Sequence, residues 1–94
     1  MAKPEKCELC QSEEDELDFH HLIPRTLHSK KWFEKRFDKM YMRTHGIWIC
    51  KEYCHPQIHD LITEKEMGTT YNTLELLKEH PDVKKYVEWR TKRL

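Results

Sequence analysis

Two close cysteine pairs, Cys7-Glu8-Leu9-Cys10 and Cys50-Lys51-Glu52-Tyr53-Cys54, constrain this chain more than any other feature. Both spacings let two thiolates share one tetrahedral zinc, and two such pairs close a site. Because 39 residues separate Cys10 from Cys50, the metal would pin the base of a large excursion rather than a simple finger. A redox use of C-x2-C is the alternative, but it lacks the preceding strand and helix of a thioredoxin-like unit.

A staple of this kind is what the chain needs. With 94 residues, 37% apolar and 36% charged, it makes one small domain with a small core. Such domains bury only about 60 to 65% of the surface their unfolded chains expose and lean on metals or disulfides. No apolar run reaches the roughly 18 to 20 residues needed to cross a bilayer, and Met1 to Lys6 lacks the apolar segment of a signal peptide. A cytoplasmic protein is therefore expected, where thiols stay reduced and close cysteine pairs favour metal over disulfide.

The formal net charge is zero, yet its distribution is uneven. Residues 1–18 carry two lysines against seven acids, residues 19–51 eight basic residues against two acids, and residues 52–94 seven against eight. The basic middle could attract a phosphate backbone, although its lysines alone also fit an ordinary solvated face. It coincides with the histidine-rich part of the chain: five of seven histidines lie in Asp18-Phe19-His20-His21-Leu22-Ile23-Pro24-Arg25, in Cys54-His55-Pro56-Gln57-Ile58-His59, or at His45.

Periodicity places these motifs. A Ser12-x-x-Asp15 pattern suggests a short turn after the knuckle. Leu17 to Ile23 reads as a strand ended by Pro24, with alternation setting His20 and His21 on opposite faces. Ser29 is a candidate N-cap for a helix through Phe37, on which Trp32, Phe33 and Phe37 suit core better than base stacking. A further turn over Asp38 to Arg43 is broken by Gly46, and Gly46 to Cys50 reads as a second, antiparallel strand. Pro56 suits a helix start, with His55 as N-cap and the helix running through Ile62. His55 and His59 then lie one turn apart and can bind one divalent ion, or they serve as a cap and a surface residue. A short helix over Glu64 to Gly68 is closed by Gly68, one from Asn72 runs through Glu79, and a last one spans Pro81 to Arg93.

Taken together, these residues resemble the HNH nucleases of the ββα-metal (His-Me finger) class over roughly residues 7–62. The resemblance rests on His20-His21-Leu22-Ile23-Pro24, on the region of His45 where the family has asparagine, and on Cys54-His55 with His59. Here Thr44-His45-Gly46 replaces the asparagine, and the second cysteine pair is one residue longer than the family's. The implied fold is α+β: a zinc-stapled ββα core with additional C-terminal helices, in one domain over 1–94. Its parts would be a zinc knuckle and acidic loop (1–16), the ββα-metal core (17–62) and a helical extension (63–94).

The resemblance also implies roles. Cys7, Cys10, Cys50 and Cys54 would hold a structural zinc. His21 would be the general base, and His45 would join the catalytic group by shaping the loop whose backbone carbonyl fixes that base, with Asn72 a distant candidate to compensate for the missing asparagine. His20, His55 and His59 would hold one divalent ion, Mg, Mn, Ni or Zn, with imidazole favouring the transition metals. Arg25, with Lys30, Lys31, Lys35 and Arg36, would contact the substrate, DNA with RNA as a second candidate. No membrane or small-molecule cofactor is implied, and the sequence leaves the oligomeric state open. The competing reading is a non-catalytic zinc module that binds nucleic acid or protein on the same scaffold.

Overall fold

A computed structural model describes residues 3–13 and 16–93. Asp15, half of the expected Ser12-x-x-Asp15 turn, lies outside the described residues, as does Glu14 of the acidic loop. Among the described residues, two strands and six short helices follow in order: β1 (Leu17–His21), α1 (Lys31–Arg36), α2 (Lys39–Thr44), β2 (Gly46–Cys50), α3 (Cys54–Leu61), α4 (Glu64–Thr69), α5 (Leu74–Glu79) and α6 (Pro81–Thr91). A 3-10 turn, Arg25–Leu27, follows Pro24. The fold is thus small and mixed, α+β. Among the described residues no helix is long and apolar enough to cross a membrane.

The strands pair antiparallel, with Leu17 opposite Cys50, His20 opposite Ile47 and His21 opposite Gly46. Alternation puts Asp18, His20, Ile47 and Ile49 on one face and Phe19, His21, Gly46 and Trp48 on the other. Ile47, Ile49 and Ile58 are buried beside the four cysteines, in a core that reaches from Leu9 in the knuckle to Leu77 and Val83 in the last two helices. A smaller core of Ile23, Phe33 and Met42 holds the excursion between the strands, with Leu27 and Phe37 packed against it. Phe33 and Phe37 are therefore core, as expected, whereas Trp32 remains 44% exposed.

Several boundaries differ from expectation, each for a local reason. The first strand stops at His21 rather than Ile23; Leu22 N–H still reaches the His45 carbonyl at 3.1 Å in the same register, and Pro24, with no N–H to donate, carries the pairing no further. Helix α1 begins after Lys30 with no side-chain cap, and Ser29 is not used. Asp38 instead caps α2, accepting from Met40 N–H at 3.0 Å.

Helix α3 starts at Cys54, with Tyr53 in the cap position, so His55 lies inside the first turn and its side chain is free for other work. Pro56 is tolerated there because the first helical N–H groups have no intrahelical partner. Gly68 does not close α4 but is buried within it, where a Cβ would stand 2.7 Å from Leu27 Cδ1 and 3.0 Å from Phe33 Cε1. A capping box between Thr63 and Glu66 starts that helix. Thr73 rather than Asn72 caps α5, and α6 ends at Thr91 rather than Arg93.

Gly46 serves β2 rather than only ending a helix. A Cβ there would collide with the His20 carbonyl oxygen and come within 2.6 Å of the Phe19 ring. Only glycine lets the two strands approach at the histidine pair.

Candidate metal centres

The knuckle brings all four thiols together in the core, each fully buried and free of disulfides. Cys7 Sγ is 3.7 Å from Cys54 Sγ, and Cys10 Sγ is 3.8 Å from Cys50 Sγ. Tetrahedral zinc with Zn–S bonds of about 2.3 Å sets its sulfurs about 3.8 Å apart, so the spacing fits this metal.

The surroundings fit thiolates. Cys10 N–H and Cys50 N–H donate to Cys7 Sγ at 3.4 and 3.3 Å, Cys54 N–H donates to Cys50 Sγ at 3.3 Å, and the Tyr86 hydroxyl donates to Cys54 Sγ at 3.3 Å. Contact with the Cys50 and Cys54 sulfurs holds Cys7 well below the usual thiol range, while contact with Cys50 and Cys7, together with burial, pushes Cys54 above it. Sulfurs this close compete for negative charge, and a divalent cation removes the conflict. Two further residues make the knuckle. Gln11 takes a left-handed φ of 66° to turn the chain, and Glu8 grips β2 by accepting from Trp48 N–H at 2.6 Å.

The second group takes two of its donors from α3, beginning at the residue after Cys54. His20, His55 and His59 each offer a ring nitrogen, and these atoms lie within 4.8 Å of one another. Helical spacing brings the His55 and His59 rings to 5.0 Å, and β1 presents His20 at 5.3 and 5.4 Å from them. His55 Nδ1–H donates to Asp18 Oδ2 at 3.0 Å, which leaves Nε2 with the lone pair. That is the usual outer-shell arrangement of a metal-binding histidine.

His20 is only 4% exposed, and its Nε2 faces Met67 Sδ at 2.8 Å. Burial, followed by the charges of His55, His59 and His21, lowers its pKa to about 3, so the ring is a neutral donor at ordinary pH. Three neutral imidazoles suit a borderline transition ion.

His21 projects from the other face of β1, as alternation requires. Even so, a cleft of about 360 Å³ wraps round the strand end and is lined by His21 together with His20, His55 and His59. Pro24 and Arg25 also line it, and Thr26 there donates to the Glu64 carboxylate. Because a carbonyl only accepts, His21 Nε2–H donates to the Arg43 oxygen at 3.2 Å, leaving Nδ1 as the basic nitrogen. Burial is the main cause that lowers the His21 pKa, outweighing the opposing bond to Arg43.

The other expected site residues fall outside this cleft. His45 is half-buried, with Nε2 2.6 Å from the Asn72 carbonyl, so it shapes the loop before β2 and does not line the cleft with His21. Of the basic residues only Arg25 lines the cleft; Lys30, Lys31, Lys35 and Arg36 are exposed on and beside α1, with the Arg36 guanidinium 3.9 Å over the Trp32 ring. The Asn72 side chain does not reach the cleft and donates to the Gly68 carbonyl at 3.0 Å. Sequence reasoning missed the partners Asp18 and Met67; a backbone carbonyl for His21 was expected from the resemblance without its residue, and Arg43 supplies it. Only Asp18 carries a signal, standing two residues before His20 on the same strand face.

Fold and donors together define a small α+β protein with a buried four-cysteine group fit for a structural metal beside a cluster of three histidines. Over 83 residues the chain is 30% identical to the uncharacterized protein YisB of Bacillus subtilis (strain 168), a match covering 88% of this chain and 70% of that protein. The chain belongs to the same family as YisB. No protein-family model matches it, and no solved structure does.

Proposed function

We propose that this protein is a metal-dependent endonuclease of the HNH type that hydrolyses phosphodiester bonds of DNA. One observation carries the reading: three histidine donors within 4.8 Å share a cleft with a fourth histidine, His21, whose Nε2–H is held by a backbone carbonyl. Phosphodiester cleavage needs an activated water, a stabilised phosphorane charge and a stabilised leaving oxygen.

In this reading His20, His55 and His59 hold one divalent ion, with Asp18 orienting His55. When bound, the ion supplies Lewis-acid stabilisation of phosphate charge and of the leaving oxygen. His21 Nδ1 takes a proton from water; the hydroxyl oxygen bonds to phosphorus as the phosphorus–oxygen bond to the 3′ side breaks, and the departing oxygen gains a proton from solvent. Arg25, exposed in the cleft wall, grips a neighbouring phosphate. The exposed Lys30, Lys31, Lys35 and Arg36 attract the backbone without reading bases. The cysteine-held zinc keeps its four ligands and has no chemical role. Reduced, buried thiols suit the cytoplasm.

Nicking of supercoiled plasmid by the zinc-loaded protein tests this, with Mg, Mn, Ni or excess Zn added and His21→Ala run in parallel. Metal-dependent nicking that disappears in the variant is the expected result. An intact zinc site with no cleavage under any metal would instead make the chain a binding module on the same scaffold.

A further inference from the structure

Helix α6 turns one face inward and leaves another open. Val83 and Arg90 are buried, and Val87 packs on the core. Asp82, Lys85, Trp89 and, just past the helix end, Arg93 are exposed. With half-buried Tyr86 they recur at helical spacing and form one stripe along the helix. The stripe borders a groove of about 490 Å³, lined by Asp82, Lys85, Tyr86 and Trp89 from α6 and by Gln57 and Leu61 from α3. Trp89 is 48% exposed, with the Tyr86 ring stacked 6.3 Å away and the Arg93 guanidinium 3.9 Å over its own ring. The groove is anchored to the cysteine cluster, because the Tyr86 hydroxyl donates to Cys54 Sγ at 3.3 Å and Cys54 opens α3.

We propose that this face pairs with the same face of a second copy of the chain, the two α6 helices running antiparallel about a twofold axis. In such an isologous contact, residues equidistant from the midpoint of the helix pair lie opposite each other. With the midpoint between Val87 and Glu88, Tyr86 meets Trp89 of the second copy and Asp82 meets Arg93, and each pairing occurs twice. Lys85 is spared a like charge, because the Arg90 that would stand opposite is buried with its guanidinium 4.0 Å over the Tyr53 ring. The antiparallel setting also opposes the two helix dipoles.

Charge favours a second copy over a nucleic acid as the occupant. The groove itself is lined by one acid and one base, Asp82 and Lys85, so it offers a phosphate backbone no net attraction. The whole chain carries no formal net charge, so two copies do not repel each other at long range. Its aromatic residues are of the kind that anchor protein interfaces. One helix and one groove make a small interface, below about 1,200 Å² in total, which places the dissociation constant on the order of 10 µM.

Sedimentation equilibrium of the zinc-loaded full chain over about 1 to 300 µM brackets that value. The expected result is an 11.6 kDa species giving way to one of twice that mass as concentration rises. Trp89→Ala should weaken the association about 10- to 100-fold, as loss of a central aromatic does. Arg93→Asp sets an acid opposite Asp82 and should weaken it at least about tenfold, and adding Asp82→Arg to that variant should restore it.

A monomer across the whole range would overturn the proposal, as would a dimer indifferent to both Trp89→Ala and Arg93→Asp. Failure of the charge-swapped double variant to recover would overturn the antiparallel register. Should circular dichroism show Trp89→Ala to be unfolded, the exposed pair Asp82 and Arg93 decides by itself, through loss in the single variant and recovery in the double.

Discussion

Asp18 accepts a hydrogen bond from His55 Nδ1 at 3.0 Å, joining the first strand to the first turn of α3. The preceding residue on that turn, Cys54, belongs to the cysteine cluster, so adjacent residues of one short helix serve two separate groups. Asp18 keeps the His55 lone pair on Nε2, in a ring 5.3 Å from His20 and 5.0 Å from His59. In Asp18→Asn the affinity of the histidine group for Ni or Zn should fall about 10- to 100-fold, with the cysteine-held zinc retained. Calorimetric titration of protein already carrying one zinc measures this. Equal affinities would remove Asp18 from the site.

Cysteine-held zinc should account for most of the folding free energy. Structural zinc in small domains contributes on the order of 10 kcal/mol, comparable with the roughly 5 to 15 kcal/mol by which whole domains are stable. The core runs directly through Cys7, Cys10, Cys50 and Cys54. Stripping the metal with a strong chelator, or replacing Cys54 with Ala, should abolish the cooperative thermal transition seen by circular dichroism. It should also remove the histidine site, because His55 follows Cys54 on the same turn.

Gly46→Ala should destabilise the protein by about 1 to 3 kcal/mol, as overpacking of a tight contact does. The added methyl meets the His20 carbonyl oxygen and the Phe19 ring, so the strands must part where the two histidines stand. Urea unfolding measures the loss, and metal affinity at the histidine group should weaken in parallel. A methyl accommodated at no cost would mean that β1 and β2 are looser at this end than the contact implies.

His20 should impose a pH dependence on stability. Burial, and then the charges of His55, His59 and His21, lower its folded pKa to about 3, against about 6.5 in an unfolded chain. Between these values the unfolded state binds a proton that the folded state refuses. The stabilisation is therefore full well above about pH 6.5 and is lost as pH falls toward 3, by roughly 1 kcal/mol at pH 5.5. His20→Gln should shrink the difference in unfolding free energy between pH 7 and pH 5.5 by that amount. An undiminished difference would assign the effect to another group.

How much of this was legible in the sequence varies with the range over which each feature is set. Gly46 to Cys50 could be read as a strand to the residue, because β-branched and aromatic residues after a glycine encode it locally. Caps were less legible. Ser29 carries the right side chain for an N-cap, yet α1 starts one residue later, where the packing of Phe33 against Ile23 and Met42 sets the helix position. The start of α3 was missed for a similar reason: bringing Cys54 to the cysteine cluster draws the helix two residues ahead of Pro56.

The sequence by itself determined the donor inventory: two cysteine pairs at metal spacing, two histidines one helical turn apart, and a histidine pair at the end of a strand. Such features are local, because they depend on side-chain type and on the 3.6- and 2-residue periods of the backbone. Only the tertiary structure decided which donors share a site and which way each imidazole faces. Asp18 meets His55 across 37 residues, and His45 meets the Asn72 carbonyl across 27. Backbone carbonyls such as those of Arg43 and Asn72 are present at every position of any chain, so their placement appears only once the strands, the knuckle and the C-terminal helices have packed.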